Sequence, residues 1–297
     1  MPRWTIYGLG VVLVLLLIVA GLFLGLSGGK KGSGGDITSA PELRVPSGPD
    51  RHSLLLDPAD SRHLFYGNHA GLHESRDGGK TWRAVSGLKD ADAMGLAWGD
   101  KRLGVVHVAG HEVYFKSVDG GKSFRSGRLS LPGADIHGFA SGMSDPRFVY
   151  AYVVGHGIYR SEDGATTWRQ VVPTSAVKPG PDIMGLAVDP TNPQVLLAAT
   201  MSSGYFRNKD GGLTWEQGPV RAAMTSLAFA PDDPKTIYAA APLLGLHRTT
   251  DGGKTWQVIL KGPVFLVATS PSEPNRAYAV LQDESLKVST DRGSSWR

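Results

Sequence analysis

The chain contains no cysteine. That absence excludes disulfides, thiolate metal centres and an N-terminal lipid-modified cysteine. It also has no run of Lys and Arg, and no basic stretch interleaved with aromatic rings. With 31 basic and 27 acidic side chains its formal charge is only +4, and so mild a balance carries no footprint of nucleic-acid binding. No His-Glu-x-x-His or comparable pair of ligands at diagnostic spacing occurs. A long apolar run occurs once, at the N-terminus.

That run, Trp4 to Leu26, carries no charge and is dominated by Val, Leu, Ile and Gly. It is about long enough to cross a hydrocarbon core as a helix. The exit Leu24-Gly25-Leu26-Ser27-Gly28 is unlike the small-residue cleavage site of a signal peptide. The expectation is an uncleaved transmembrane anchor over 4–26 with a short cytoplasmic end at 1–3. Arg3 on one side and Lys30 with Lys31 on the other leave the charge rule for orientation nearly balanced. Residues 27–46 begin with a Gly/Ser/Lys tether, Ser27 to Gly35, which is flexible by composition.

The remainder, 47–297, is rich in what all-β folds use. Its share of the 39 Gly and 19 Pro suits many short strands separated by turns. Six times the phrase [Ser/Thr/Asn]-x-Asp-x-[Gly/Ala]-x-[Ser/Thr]-[Trp/Phe] returns, with aspartates at Asp77, Asp119, Asp163, Asp210, Asp251 and Asp291. Subtraction gives steps of 42, 44, 47, 41 and 40 residues. A fixed period in that range means a propeller or solenoid. The phrase itself reads as a tight turn: Asp accepts from turn amides, Gly takes the positive φ, and the hydroxyls tie the strand ends. The closing aromatics, Trp82, Phe124, Trp168, Trp215, Trp256 and Trp296, bury rings between neighbouring sheets. Both the aspartates and these rings are assigned structural roles.

Each unit divides into four strands. In the fourth, Ile183 to Val188, Val195 to Thr200 and Gly204 to Asn208 precede the phrase, and Thr214 onward follows it. The expected fold is therefore a six-bladed β-propeller of four-stranded blades. The sixth unit ends at Arg297 without room for a full fourth strand, and the open edge that results has to be covered. The segment Ile37 to Pro46 is a candidate ring-closing strand, pairing beside Ser294 to Arg297.

The repeated phrase resembles the Asp-box, or BNR repeat, of sialidases, Ycf48-type photosystem-assembly factors, sortilin-like receptors and some endoglucanases. The resemblance covers about residues 50–297. Because such propellers are usually exported, it implies a single-pass protein of the cell membrane with the propeller facing the periplasm or exterior. Asp135-Ile136-His137-Gly138-Phe139 and His69-Ala70-Gly71-Leu72 are similar to a group of exported BNR-repeat proteins labelled glycosylhydrolase-like.

Aligning the units places His52, Met94, His137, Met184, Thr225 and Phe265 in one column at the entry to the innermost strand. Two residues earlier stand Asp50, Asp92, Asp135, Asp182, Ala223 and Pro263. His69, His111 and His156 fall in the turns between second and third strands. In an up-and-down blade both sets lie at the end opposite the Asp-boxes. That face is the candidate functional face.

Three functions follow. Imidazole and thioether suit copper, so His52, His137, Met94 and Met184 form a candidate metal set. Asp135 and Asp182 form a candidate glycosidase pair, since hydrolysis of a glycan needs two carboxylates across a cleft. Leu43-Arg44-Val45-Pro46 resembles the Arg-Ile-Pro phrase of sialidases and would make Arg44 the carboxylate grip, although the chain shows no recognisable partner arginines or Tyr–Glu pair. The reading preferred is non-enzymatic: a membrane-tethered module for protein interaction or complex assembly, similar in plan to the Ycf48 type.

Overall fold

The computed structural model describes residues 42–173, 175–176 and 178–297. The expected transmembrane anchor lies outside them, and among the described residues no helix is long and apolar enough to cross a membrane.

Six antiparallel sheets follow one another along the chain, each with strands in sequence order. The first blade is built from Ser53–Leu56, Leu64–Asn68, Gly71–Ser75 and Arg83–Lys89. The innermost strands of the others are Gly95–Trp98, Ile136–Ser141, Ile183–Val188, Ser226–Ala230 and Val264–Thr269. Each packs beside the next, and the sixth packs beside the first, so the ring is closed.

Burial explains why these segments are strands. In four of the six blades the second strand, as in Val149–Val153 and Leu196–Thr200, is buried along its whole length. A strand covered on both faces reads as a continuous apolar run. Outer strands are different: Arg83–Lys89 buries only Val85 and Leu88. The core is accordingly a ring of interfaces, with one apolar cluster between each adjoining pair of blades. Tyrosine hydroxyls stitch these interfaces, Tyr150 to the Pro193 carbonyl at 2.9 Å, Tyr238 to Arg292 at 3.1 Å and Tyr278 to Ser61 at 3.0 Å.

The Asp-box is the turn expected. In the first copy Ser75 Oγ donates to Asp77 Oδ1 at 2.9 Å and accepts from the Gly79 amide at 2.8 Å. Asp77 in turn accepts from the amides of Lys80 and Thr81, at 3.0 and 2.9 Å, and from the Thr81 hydroxyl at 2.7 Å. In the fourth copy Asn208 replaces the serine and accepts from Gly212 at 2.8 Å. The position after Asp-Gly takes positive φ, 86° at Gly79, and in the third copy Ala165 is held there at 70°.

Closure of the sixth blade differs from the expectation in register. Its sheet has three strands, Val264–Thr269, Ala277–Leu281 and Leu286–Ser289. Residues 37–41 of the expected ring-closing segment lie outside the described residues, and among the described ones Leu43 to Val45 do not pair with Ser294 to Arg297. Instead Leu43 to Val45 and the last residue, Arg297, lie along the same strand: Val45 donates to Glu284 at 2.9 Å, Leu286 donates to Leu43 at 2.8 Å, and Arg297 and Val288 exchange bonds of 3.1 and 3.0 Å. The reason is that Ser294 and Ser295 are already used by the sixth Asp-box, through Asp291. Only Arg297 is left to pair, and the N-terminal segment continues the missing strand.

Candidate functional site

The backbone sets the site before any side chain does. The turn after the second strand of one blade leans on the entry to the first strand of the next. His111 and Asp135 form an antiparallel bridge, flanked by Glu112 donating to Ala134 at 2.9 Å and Ile136 to Gly110 at 3.4 Å. Glu112 adopts a φ of 57° to make this turn, and Asp50 one of 60° at the entry to the first blade. Few residues with a Cβ adopt that left-handed region.

The side chains then form a row of alternating carboxylates and imidazoles. Asp50 Oδ2 lies 3.0 Å from His69 Nε2, and His69 Nδ1 lies 2.7 Å from Asp92 Oδ2. The same Asp92 oxygen is 2.5 Å from His111 Nδ1. His111 Nε2 is 3.0 Å from Asp135 Oδ1 and 3.0 Å from His137 Nε2, which is itself 3.2 Å from that Asp135 oxygen. His52 stands edge-on to His69, ring centroids 4.3 Å apart, with its Nε2 3.9 Å from Asp92 Oδ1.

Charge follows from these contacts. The carboxylates of Asp135 and Asp92 beside it raise the His111 pKa to about 10 against the cost of burial. Burial pushes the carboxyls of Asp92 and Asp135 up, but the neighbouring imidazoles outweigh it and hold both below the ordinary carboxylate range. His52 is the reverse case: burial, then the nearby His69, lowers it to about 4 and keeps it neutral. Its Nε2 and the Asp92 and Asp135 Oδ1 atoms are buried without a protein hydrogen-bond partner.

Seven of the eleven residues expected on this face are thus brought together: Asp50, His52, His69, Asp92, His111, Asp135 and His137. Met94 and Met184 line the narrow mouth of the central channel beside His52 and His137, in a cavity of about 100 Å³. His156 stays apart; its carbonyl accepts from Gln170 at 2.6 Å, and its ring joins none of the metal-competent groups among the described residues. Asp182 is also elsewhere engaged, accepting from the Ser202 amide at 2.6 Å. Arg44 takes part in ring closure, bridging to Ser285 and donating to the Asp283 carbonyl at 2.9 Å.

The opposite end of the channel holds the larger opening, which the sequence columns did not point to. It is a cavity of about 460 Å³ walled by Leu54, Leu96, Phe139, Leu186, Leu227 and Phe229, with Pro58, Pro146, Pro190, Pro231 and Pro271 around it. The prolines come from the turns after the innermost strands, and their recurrence in five of the six blades was the available signal.

No protein-family model and no curated protein matches the chain. Among solved structures it is similar to an ancestral GH74 enzyme, with a TM-score of 0.57 at 16% identity over 80% of this chain and 39% of that one. A GH74 enzyme from Niastella koreensis gives 0.58 at 15% over 83% and 46%. The chain therefore spans less than half the length of either GH74 enzyme. YCF48 bound to D1 peptide gives 0.55 at 19% over 88% of this chain and 85% of that one. These likenesses agree with the Asp-box geometry on one fold, a six-bladed propeller.

Proposed function

We propose that this chain is a docking module for a protein partner, held at a membrane by the apolar segment 4–26 with its propeller outside the cytoplasm. The observation that carries the reading is the apolar funnel at the Asp-box end of the channel. Apolar walls with few polar groups match the apolar centre of a protein–protein interface and offer a hydrated sugar few donors and acceptors. Its charged lining residues are Asp100, Lys101 and Arg102, and Asp100 is turned to Arg102 at 3.2 Å. A glycosidase needs two carboxylates facing one bond, and this lining supplies one. Asp135 and Asp182, the other pair considered, are taken by two imidazoles and by a loop amide.

The coverage of the comparisons supports the same choice. YCF48 matches over most of both chains and was solved with a peptide bound, whereas the GH74 likeness accounts for part of a longer enzyme. The test is co-purification of the full chain from detergent-solubilised membranes, with Met143→Asp as the variant. Met143 lines the funnel and is 42% exposed, so a charge there blocks docking without disturbing the core. A partner retained by the native chain and by His156→Ala, but lost with Met143→Asp, supports the reading. Turnover of glycans that Asp182→Asn abolishes overturns it.

A further inference from the structure

Three atoms at the opposite face are arranged in a way that hydrogen bonding does not explain. His111 Nε2, His137 Nε2 and Asp135 Oδ1 form a nearly equilateral triangle with edges of 3.0, 3.0 and 3.2 Å. If both imidazoles carry a proton on Nε2, their mutual contact sets one N–H against another. If only one does, its single proton cannot serve both neighbours, and one close contact has none. Asp135 Oδ1 is buried with neither ring N–H directed at it, the costly state for a carboxylate oxygen.

A metal ion resolves all three contacts. Zinc bonds of about 2.0 Å to nitrogen and oxygen give tetrahedral edges of about 3.3 Å. A point about 2.0 Å from each corner of the observed triangle lies about 1 Å out of its plane, on the geometry of such a site. The support behind the triangle also fits. His111 has its other nitrogen, Nδ1, 2.5 Å from Asp92 Oδ2, and a carboxylate that takes the second ring proton frees Nε2 as a donor to metal. Asp135 and His137 stand two apart at the start of a strand whose pairing shifts register at His137, an irregularity of the kind that re-aims a side chain, while the bridge between His111 and Asp135 fixes the third donor opposite them.

We propose that His111, Asp135 and His137 bind one divalent transition-metal ion, zinc by geometry, with Asp92 orienting His111 and the fourth position open. The donors are borderline nitrogen and hard oxygen, a set that favours a divalent ion over Cu(I). Side-chain exposures of 40, 44 and 22% leave the open position accessible to water or to a donor from another molecule. This site lies at the other end of the channel from the docking funnel, and neither proposal depends on the other.

The experiment uses the full chain in detergent, stripped with chelator and titrated with Zn²⁺ by calorimetry, then with Co²⁺ by absorption. The expected result is one ion per chain, a tetrahedral Co²⁺ spectrum, and a higher thermal midpoint with Zn²⁺ present. His111→Ala, His137→Ala and Asp135→Asn should each weaken binding 100-fold or more. Asp92→Asn should weaken it 10- to 100-fold, while His156→Ala and Met94→Leu leave it unchanged. His137→Gln serves if the alanine variant fails to fold. Absence of stoichiometric binding overturns the proposal, as does binding that survives in the folded His111 and His137 variants. Loss of binding in Met94→Leu overturns the ligand set.

Discussion

Val45 donates its backbone N–H to the Glu284 carbonyl at 2.9 Å, joining a residue from the start of the propeller to its last blade. The contact is one of a pair, with Leu286 to Leu43 at 2.8 Å, that supplies the strand the sixth blade lacks. A ring of blades is only as stable as its closure, because opening there exposes two apolar faces at once. Val45 is 4% exposed and packs in the cluster shared by the sixth and first blades. Val45→Ala should cost about 2 kcal/mol, read as a lower urea midpoint with unchanged slope. Removal of residues 42–46 should cost more than Val45→Ala, since it leaves the amide of Leu286 and the carbonyl of Glu284 without partners.

A buried ionic network in the first blade gives a second prediction. Glu74 is 2% exposed at its side chain and takes His63 Nε2 at 2.8 Å, Arg83 Nε at 2.7 Å and Arg76 Nη2 at 2.5 Å, while His63 Nδ1 meets Asp57 at 2.8 Å. Glu74→Ala leaves the buried His63 nitrogen unpaired and should cost about 3 kcal/mol. The double change His63→Phe with Glu74→Leu should recover much of that loss, because apolar groups of similar volume need no partner. A double-mutant cycle by denaturant unfolding measures both.

The third Asp-box makes the opposite prediction. Ala165 holds a φ of 70° where the five other copies place glycine at 81 to 96°. A Cβ in that region is disfavoured, so Ala165→Gly should stabilise the protein by about 1 kcal/mol. A rise of a few degrees in the thermal midpoint is the expected reading.

Much of this architecture was legible in the chain. The period gave the blades, and Ile183–Val188 and Gly204–Asn208 match their expected bounds residue for residue. The face carrying the histidines was legible too, because columns of an up-and-down repeat map onto ends of blades. What the columns hid was the contact between blades. They grouped His137 with Met94 and Met184, the same position in other blades, whereas the structure gives it to His111 and Asp135 across the turn of the preceding blade. That pairing depends on the lean of one turn on the next strand, a distance that no spacing along the chain encodes. The network of Glu74 and His63 was missed for a different reason. Within Gly71–Ser75 a carboxylate at an inward position looks like any polar residue of a strand, and its burial depends on the blade packed over it.

His107 supplies the pH dependence. It is 1% exposed in the second strand of the second blade, with Nδ1 2.7 Å from the Tyr114 hydroxyl. Burial, and secondarily the charge of Lys116, lowers its pKa to about 4 from the ordinary 6.5. The folded chain therefore keeps this ring neutral while the unfolded chain protonates it near 6.5. Its contribution is fully present above pH 6.5 and is lost as the pH falls from 6.5 towards 4. Over that window the loss is up to about 3 kcal/mol for a shift of this size. The measurement is the urea midpoint between pH 7.5 and 4 for the native chain and for His107→Gln, which keeps a polar partner for Tyr114 but does not titrate. The native midpoint should fall more steeply than that of the variant below pH 6.5, and parallel curves would show that the ring protonates without cost in the fold.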